Sequence, residues 1–274
     1  MPRLRASLLL VHGENHMQTT GNTILITGGT SGIGRGLAEA FHRLGNEVIV
    51  AGRRRELLDE ITTANPGMRS AVLDVQDLSG LDGFAEKILR MHPSLNVLIN
   101  NAGIMKPENL REGGSFATVD DTVTTNLLAP LRLTAALLPH LQQQPRAAVM
   151  TVSSGLAFVP LAATPTYCAT KAAIHSWTQS LRWQLRGSPV EVLELIPPYV
   201  QTELMGPHQT TDPRAMPLAD FIAEVMQILR TQPDAKEICV QRVDPLRYAG
   251  GLDRAKYEEM FHGLNSGFGG HNDE

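Results

Sequence analysis

The stretch Thr23-Ile-Leu-Ile-Thr-Gly-Gly-Thr-Ser-Gly-Ile-Gly34 joins a short apolar run to a loop with four glycines. The run predicts a buried strand, and residues 33–44 have the spacing of a helix that follows at once. The glycines at 28, 32 and 34 permit a sharp turn and let phosphate oxygens approach the main chain. The helix N-terminus adds unpaired N–H groups and a partial positive charge. An ordinary tight turn needs no strand before it and no helix after it. We therefore predict that the pyrophosphate of a dinucleotide binds at Gly28, Thr30, Ser31, Gly32, Ile33 and Gly34.

Six more apolar runs alternate with amphipathic stretches along the chain. The runs lie at residues 47–51, 70–74, 96–100, 147–152, 190–195 and 237–241. The helical spacings lie at residues 33–44, 78–91, 119–141, 167–186 and 218–229. Most runs are nearly continuous Val, Ile and Leu, as expected of parallel strands that helices cover on both faces. The alternation predicts one α/β domain with a Rossmann-type doubly wound parallel sheet of about seven strands.

The composition of the 274 residues excludes several classes of protein. Hydrophobic residues make up 42% and charged residues 19%, which excludes a disordered, collagen-like or coiled-coil chain. The formal net charge is −4, so we expect no nucleic acid partner and no polybasic membrane contact. The two cysteines, Cys168 and Cys239, match no zinc spacing. We therefore expect free thiols, no metal and a reducing compartment.

The ends of the chain differ from its centre. The N-terminal segment has a basic start and a short apolar run that soon meets polar residues, unlike a signal peptide. We expect a disordered or mis-started extension, with Met17 as the natural start, in a cytoplasmic protein. The expected segments are the extension at 1–16, the domain at 17–247 with a lid at 199–217, and a flexible tail at 248–274.

The second apolar run ends in Gly52-Arg53-Arg54-Arg55. In a Rossmann unit the tip of the second strand reaches the adenosine ribose, where an acid binds the 2′-hydroxyl and an arginine accommodates a 2′-phosphate. No acid occupies this tip, and Arg53 and Arg54 suit a phosphate group. The alternative is a solvated basic turn at the start of a helix. The pattern favours NADP(H), with NAD(H) as the other cofactor that such a site accepts.

Tyr167 and Lys171 stand four residues apart at the start of a helical pattern, which places both on one face. A phenol is a poor base at neutral pH, and a nearby ammonium lowers its pKa. The pair can then move a proton to or from an alcohol oxygen. Ser154 follows the strand at 147–152 and can donate to that oxygen. Its neighbour Ser153 is the competing candidate, and either serine could be an ordinary turn residue.

Further elements complete a recognisable set. Asn100-Asn-Ala-Gly103 follows the fourth run, Asp74-Val75 follows the third, and Asn126 lies in a helical stretch. With the glycine loop and the Ser, Tyr and Lys residues, they resemble the classical short-chain dehydrogenase/reductase family from residue 23 to 202, and more weakly to 240. The thirteen-residue gap before Tyr167 favours Ser154 over Ser153.

The resemblance implies the strand order 3-2-1-4-5-6-7 and an oxidoreductase that transfers hydride between nicotinamide and an alcohol or carbonyl compound. Tyr167 would be the general acid/base and Lys171 would bind the nicotinamide ribose. Ser154 would hold the substrate oxygen, and Asn126 would bind a water that connects Lys171 to solvent. The further cofactor contacts that the resemblance implies are Asp74, Val75, Asn101, Ala102, Gly103, Pro197, Val200 and Thr202.

Two departures from the family pattern stand out. The usual Pro-Gly-x-Val-x-Thr is Pro197-Pro-Tyr-Val-Gln-Thr202 here, and the second proline stiffens the start of the lid. This change puts the placement of Thr202 in question. Many members that prefer NADP have a basic residue where this chain has Ser31, so the predicted preference rests on Arg53 and its neighbours.

The residues after Ser154 and on the lid suggest a moderately apolar alcohol or ketone substrate, although several of them could instead pack the core. The candidates are Leu156, Phe158, Val159, Pro160, Leu161, Tyr199, Leu204 and Met205. The polar lid residues His208, Asp212 and Arg214 could meet a polar group or only solvent. The family resemblance implies a homodimer or homotetramer. The alternative function is a non-catalytic NADP(H)-binding sensor on the same fold.

Overall fold

The first apolar run forms strand β1 (Thr23–Thr27) at the centre of the sheet in the computed structural model, which describes residues 16–268. The other strands are β2 (Glu47–Gly52), β3 (Arg69–Val72), β4 (Val97–Asn100), β5 (Ala147–Val152), β6 (Val190–Ile196) and β7 (Glu237–Cys239). Every pairing is parallel, in the order β3-β2-β1-β4-β5-β6-β7. This confirms the predicted Rossmann-type doubly wound sheet and its strand order.

Helices connect the strands across both faces of the sheet. They are α1 (Gly32–Arg43), α2 (Arg55–Ala64), α3 (Leu81–Met91), α4 (Phe116–Val123), α5 (Ala129–Leu141), α6 (Pro165–Gln184), α7 (Leu218–Thr231), α8 (Asp244–Arg247) and α9 (Arg254–Phe268). The continuous helix expected at 119–141 is instead two helices joined by a π-helical turn at Thr124–Leu128. Such turns are rare and frequently occur at functional sites. Among residues 16–268, no helix is both long enough and apolar enough to cross a bilayer.

Two apolar layers hold the sheet between the helices. Ile26 belongs to the layer that contains Phe41 of α1 and Phe221 of α7, whereas its neighbour Leu25 belongs to the layer that contains Leu133 of α5. Successive side chains of a strand point to opposite faces, so covering both faces requires apolar residues at every position. Burying each such side chain contributes about 1.5–3 kcal/mol. The layers position the carboxyl ends of the strands along one edge, where the site lies.

The C-terminal segment differs from its prediction. A flexible tail was expected at 248–274, but residues 254–268 form helix α9. Leu264 and Phe268 pack against a cluster that contains Leu161 and Tyr167. The glycines in this segment concealed the helix, because its stability comes from these tertiary contacts rather than from helix propensity. The extension predicted at 1–16 lies almost wholly outside the described residues, as does the last part of the predicted tail.

Candidate active site

The glycine loop between β1 and α1 adopts the turn that its sequence predicts. Gly28 has φ +65° and Gly32 has φ +51°, in the left-handed region that favours glycine. A Cβ atom on Gly28 would lie 2.8 Å from Ala102 Cα, and one on Gly34 would lie 2.3 Å from the Gly28 carbonyl oxygen. Side chains at 28 and 34 are therefore excluded by backbone that cannot move aside.

Asn101 fastens this loop to the loop that follows β4. Its Nδ2 donates to the carbonyl oxygens of Thr27 at 3.0 Å and Gly28 at 3.1 Å. In return, the Thr27 hydroxyl accepts the backbone N–H groups of Asn101 and Ala102, both at 3.1 Å. The Ser31 side chain does not cap α1, which leaves the N–H groups of its first turn available to an anion.

A cavity of about 470 Å³ runs along the carboxyl ends of the strands. Most of the predicted cofactor residues line it. These are Gly28, Thr30, Ser31, Gly32, Ile33, Arg53, Arg54, Val75, Asn101, Ala102, Gly103, Tyr167, Lys171, Pro197, Val200 and Thr202. Gly34 lies beneath the loop, and Asp74 is exposed, with its carboxylate accepting the backbone N–H of Gln76 at 3.0 Å.

Arg53 and Arg54 form the basic end of this cavity. Both are exposed, and neither is paired with a carboxylate within residues 16–268. A Cβ atom on Gly52 would lie 3.3 Å from Thr30 Cγ2, so a larger residue there would press on the glycine loop. Two guanidinium groups beside a small residue can bind a phosphate group by donating hydrogen bonds to its oxygens.

Among the cavity-lining polar residues that escaped the sequence analysis, Gln76 and Thr125 contact each other. Gln76 Nε2 donates to Thr125 Oγ1 at 3.1 Å, next to the predicted adenosine contacts. They belong to separate segments, one after β3 and one in the π-helical turn. No motif in the sequence connects them.

Tyr167 and Lys171 lie one turn apart on α6, and both are buried. Lys171 Nζ donates to the Val152 carbonyl oxygen at 2.7 Å and lies 5.6 Å from the centre of the Tyr167 ring. Burial raises the pKa of the Tyr167 phenol above its usual value, and burial lowers the pKa of Lys171 to about 8. The phenol is therefore protonated at neutral pH in the protein without cofactor.

The two neighbouring serines have different partners. The Ser153 hydroxyl donates to buried Glu194 at 2.5 Å, and Glu194 also meets His175 Nδ1 at 2.9 Å. The Ser154 hydroxyl accepts the backbone N–H of Leu156 at 3.1 Å, and its interaction with the Tyr167 phenol opposes the rise in that pKa. Ser154 therefore remains beside the phenol, whereas the Ser153 hydroxyl is engaged elsewhere.

Asn126 lies in the π-helical turn, buried behind Lys171 rather than on the cavity wall. Its side-chain oxygen accepts the N–H of Ile104 at 2.8 Å, and its Nδ2 donates to the Ile104 carbonyl at 2.8 Å. A Cβ atom on Gly103 would lie 3.4 Å from Asn126 Oδ1 and 3.7 Å from Lys171 Nζ. Asn126 thus fixes the loop after β4 against the Lys171 side of the site.

The lid places Thr202 beside the glycine loop despite the extra proline. A Cβ atom on Gly32 would lie 3.3 Å from Thr202 Cγ2, and the Thr202 hydroxyl accepts the N–H of Leu204 at 3.3 Å. Pro198 lines the cavity but does not displace this contact. The substitution of the family glycine is therefore compatible with the expected position of Thr202.

The substrate end of the cavity matches part of the predicted apolar set. Leu156, Leu161, Tyr199, Leu204 and Met205 line it. Phe158, Val159 and Pro160 are not among the residues that line it, in keeping with the alternative that several of the set pack elsewhere. Val159 is fully buried, and Phe158 meets His175 edge to face at 4.7 Å. Helices α8 and α9 supply residues that the sequence analysis missed, namely Leu246, Leu264 and Phe268.

The comparisons with known proteins agree with this architecture. Residues 22–213 match the family model described as short chain dehydrogenase. A relative from Bacillus subtilis (strain 168), named as the uncharacterized oxidoreductase DltE, is 42% identical over 254 residues, covering 91% of this chain and 99% of its own.

Two solved structures share the fold. A short-chain dehydrogenase from Streptomyces avermitilis has a TM-score of 0.76 and 25% identity, with 92% of this chain and 100% of that chain covered. One from Burkholderia cenocepacia J2315, in complex with NADP, has a TM-score of 0.76 and 23% identity, with 89% and 99% covered. The family-model match and the close relative together show that this chain belongs to the short-chain dehydrogenase family of oxidoreductases.

Proposed function

We propose that this protein is an NADP(H)-dependent oxidoreductase that interconverts an alcohol and a carbonyl compound, with Tyr167 as the general acid/base. The observation that supports this most strongly is that Ser154, Tyr167 and Lys171 line the same cavity as the glycine loop. A protein that only senses a nucleotide has no need of a buried phenol and ammonium there. The buried, desolvated pair is typical of a group poised for proton transfer.

The residues present fit a dinucleotide. Side chains are excluded at Gly28 and Gly34, and the first turn of α1 is uncapped, as a bound pyrophosphate requires. Arg53 and Arg54 would hold a 2′-phosphate, which favours NADP(H) and leaves NAD(H) as the weaker ligand. The structure of the same fold from Burkholderia cenocepacia is in complex with NADP, in agreement with this choice. Thr202, Lys171 and Asn101 would contact the rest of the cofactor.

When bound, the nicotinamide would supply the hydride that a carbonyl carbon accepts, or would take up the hydride that an alcohol carbon loses. In the reductive direction, the Tyr167 phenol gives its proton to the carbonyl oxygen, so one hydride and one proton convert a ketone to a secondary alcohol. Ser154 donates a hydrogen bond to that oxygen as its negative charge grows. The Lys171 ammonium favours the phenolate that is left. Asn126 acts through position, because it fixes the backbone beside Lys171.

The test separates binding from chemistry. Fluorescence titration of the purified protein should show tighter binding of NADPH than of NADH. A panel of ketones, aldehydes and alcohols is then scored at the nicotinamide absorbance band. Tyr167→Phe should lower turnover about 10²- to 10⁴-fold while leaving NADPH affinity nearly unchanged. Undiminished turnover by this variant would contradict the mechanism. Tight binding with no turnover of any compound would support the sensor alternative.

We also propose a homodimer or homotetramer. Trp183 on α6 is 69% exposed, and the Arg186 guanidinium stacks on it at 4.2 Å. Trp177 on the same helix instead packs against the core beneath the sheet. An exposed tryptophan on a surface helix is a common anchor of an interface. Gel filtration that gives a monomer at micromolar concentration would contradict this proposal.

A further inference from the structure

Helix α9 is attached to the loop that follows Ser154. Asn265 Nδ2 donates to the Pro160 carbonyl oxygen at 3.2 Å, and its Oδ1 accepts the backbone N–H of Ala162 at 2.6 Å. The Tyr257 hydroxyl donates to the Phe158 carbonyl oxygen at 3.3 Å. These contacts join a C-terminal helix to backbone about a hundred residues earlier in the chain. They hold α9 over the substrate end of the cavity.

The C-terminal end of α9 is also attached to the lid, through four residues that we call the latch: Tyr199, Asp212, Arg214 and Phe268. The Arg214 guanidinium lies 4.6 Å from the centre of the Phe268 ring, and its Nη1 donates to the Gly267 carbonyl oxygen at 3.0 Å. The Tyr199 ring meets the Phe268 ring edge to face at 5.3 Å. Helix α9 thereby bridges the two loops that flank the catalytic residues.

Asp212 connects the two lid residues of the latch. Its Oδ2 accepts the Tyr199 hydroxyl at 3.1 Å and Arg214 Nη2 at 2.8 Å. The Arg214 guanidinium holds the pKa of the Asp212 carboxyl well below its usual range, so the ion pair persists at neutral pH. Because Arg214 is engaged by Asp212, Gly267 and Phe268, its charge is not directed at a substrate.

The wall that α9 presents to the cavity is apolar. Leu264 and Phe268 pack with Met105, Leu161 and Met205 beside the Tyr167 phenol. The nearby Gln209 amide is used within the lid, since its Nε2 donates to Val200 at 2.7 Å and its Oε1 accepts Met205 N–H at 2.8 Å. A carboxylate or phosphate group on a substrate would thus meet an apolar wall and no free guanidinium group at this end of the described cavity.

We propose that α9, held closed by the latch, is the substrate-recognition element of the site, and that the substrate is an uncharged ketone or secondary alcohol whose apolar group packs against Leu264 and Phe268. This inference rests on the proposed oxidoreductase function. It gives a reason for Phe268 at the end of α9 and for the lid residue Arg214, whose guanidinium packs on the Phe268 ring.

The experiment compares three carbonyl compounds with NADPH: acetophenone, acetone and pyruvate. The wild-type protein should prefer acetophenone to both others at least tenfold in kcat/KM. Phe268→Ala should lower the ratio of acetophenone to acetone kcat/KM at least tenfold, mainly through a higher KM for acetophenone. Arg214→Ala should do the same, and Arg214→Lys should not restore it, because an ammonium lacks the planar group that stacks on Phe268.

A second readout is independent of activity. Hydrogen exchange of the backbone amides at 257–268 should be at least tenfold faster in Arg214→Ala than in the wild type. The matched control is Arg254→Ala, which removes an exposed ion pair to Glu258 at the other end of α9 and should leave both exchange and selectivity unchanged. Unchanged exchange in Arg214→Ala, or a wild-type protein that turns over pyruvate as well as acetophenone, would overturn the inference. A wild-type protein that reduces acetone or pyruvate but not acetophenone would overturn this inference alone, whereas tight NADPH binding without turnover of any compound in the wider panel would overturn the proposed function and the substrate assignment with it.

Discussion

Asn126 holds both polar atoms of its side-chain amide against the backbone of Ile104, each at 2.8 Å. The two residues lie on different segments, the π-helical turn and the loop after β4, and Asn126 Nδ2 also donates to Thr170 of α6 at 3.3 Å. One amide thereby ties three segments together beside Lys171. These contacts favour a positional role for Asn126, and the water-binding role that the family resemblance implies stays a prediction.

Asn126→Ala should leave the Ile104 N–H and carbonyl without these partners. Each buried polar group without a partner costs about 1–3 kcal/mol, so for these two partly buried groups the free energy of unfolding should fall by roughly 2–6 kcal/mol, as measured in urea. Turnover should fall with it, because the backbone beside Lys171 is released. A matched control is Thr170→Ser, which retains the hydroxyl that accepts from Asn126. Equal stability of Asn126→Ala and the wild type would contradict the positional role.

The stability of the protein without cofactor should rise with pH above neutrality because of Lys171. Burial lowers its pKa to about 8 from the ordinary 10.5. Between these values the unfolded chain holds a proton that the folded chain has released, so the free energy of unfolding increases with pH. Below about pH 8 the folded and unfolded chains both hold the proton on Lys171, so the folded protein carries the full free-energy cost of burying the ammonium charge.

Lys171→Met removes this titration. Between pH 7.5 and 9.5, the free energy of unfolding of the wild type should increase by about 2 kcal/mol more than that of the variant, as measured by urea unfolding of both proteins. The pKa of Tyr167 is raised by burial, so its phenol does not titrate in the folded protein over this range. A difference between wild type and variant that stays constant with pH would show that Lys171 is not desolvated as described.

Arg53→Ala should discriminate between the two cofactors. The guanidinium would bind the 2′-phosphate that only NADPH has, so the NADPH Kd should rise on the order of tenfold to a hundredfold and the NADH Kd much less. Arg55→Ala is the matched control, because Arg55 begins α2 and is not among the residues that line the cavity. An equal change in both Kd values for Arg53→Ala would remove the argument for phosphate recognition.

Gly34→Ala should abolish nucleotide binding or prevent folding. Its new methyl group would lie 2.3 Å from the Gly28 carbonyl oxygen, and backbone must move to admit it. Gly83→Ala on α3 provides the contrast, since a Cβ there meets nothing within 4 Å. That second variant should bind NADPH normally and gain about 0.5–1 kcal/mol of stability from better helix propensity. Normal NADPH binding by Gly34→Ala would mean that the loop is not the phosphate site.

Much of the fold followed from local pattern. The strand positions were predicted to within about two residues, because continuous Val, Ile and Leu runs are typical of strands that are covered on both faces. Helices α2, α8 and α9 and the π-helical turn were not predicted. Helix α2 has only a short apolar face, with Leu58 and Ile61 buried. A π-helical turn inside a helix leaves the apolar spacing nearly unchanged, so the sequence shows no break there.

The candidate site also has a part that the sequence predicted and a part that only the structure explained. The glycine loop, Asn101, Tyr167, Lys171 and Thr202 were predicted from spacing and resemblance, and the structure brings them to one cavity. The spacing to Tyr167 already favoured Ser154 over Ser153, but the physical reason came only from the tertiary structure, in which buried Glu194 on a neighbouring strand accepts the Ser153 hydroxyl. Sequence spacing cannot show which residue of another strand faces a side chain.

The sequence by itself determined the order of the elements along the chain, the turn of the glycine loop and the shared helix face of Tyr167 and Lys171. Each of these depends on residues within about one helical turn or one strand, where backbone geometry alone dictates proximity. Only the tertiary structure showed which residues of α9 and the lid close the end of the cavity beside Tyr167. There, Leu264 and Phe268 meet residues about a hundred positions earlier, and Arg214 reaches across to Gly267. Such contacts arise from the packing of whole elements, which no local pattern of residues specifies.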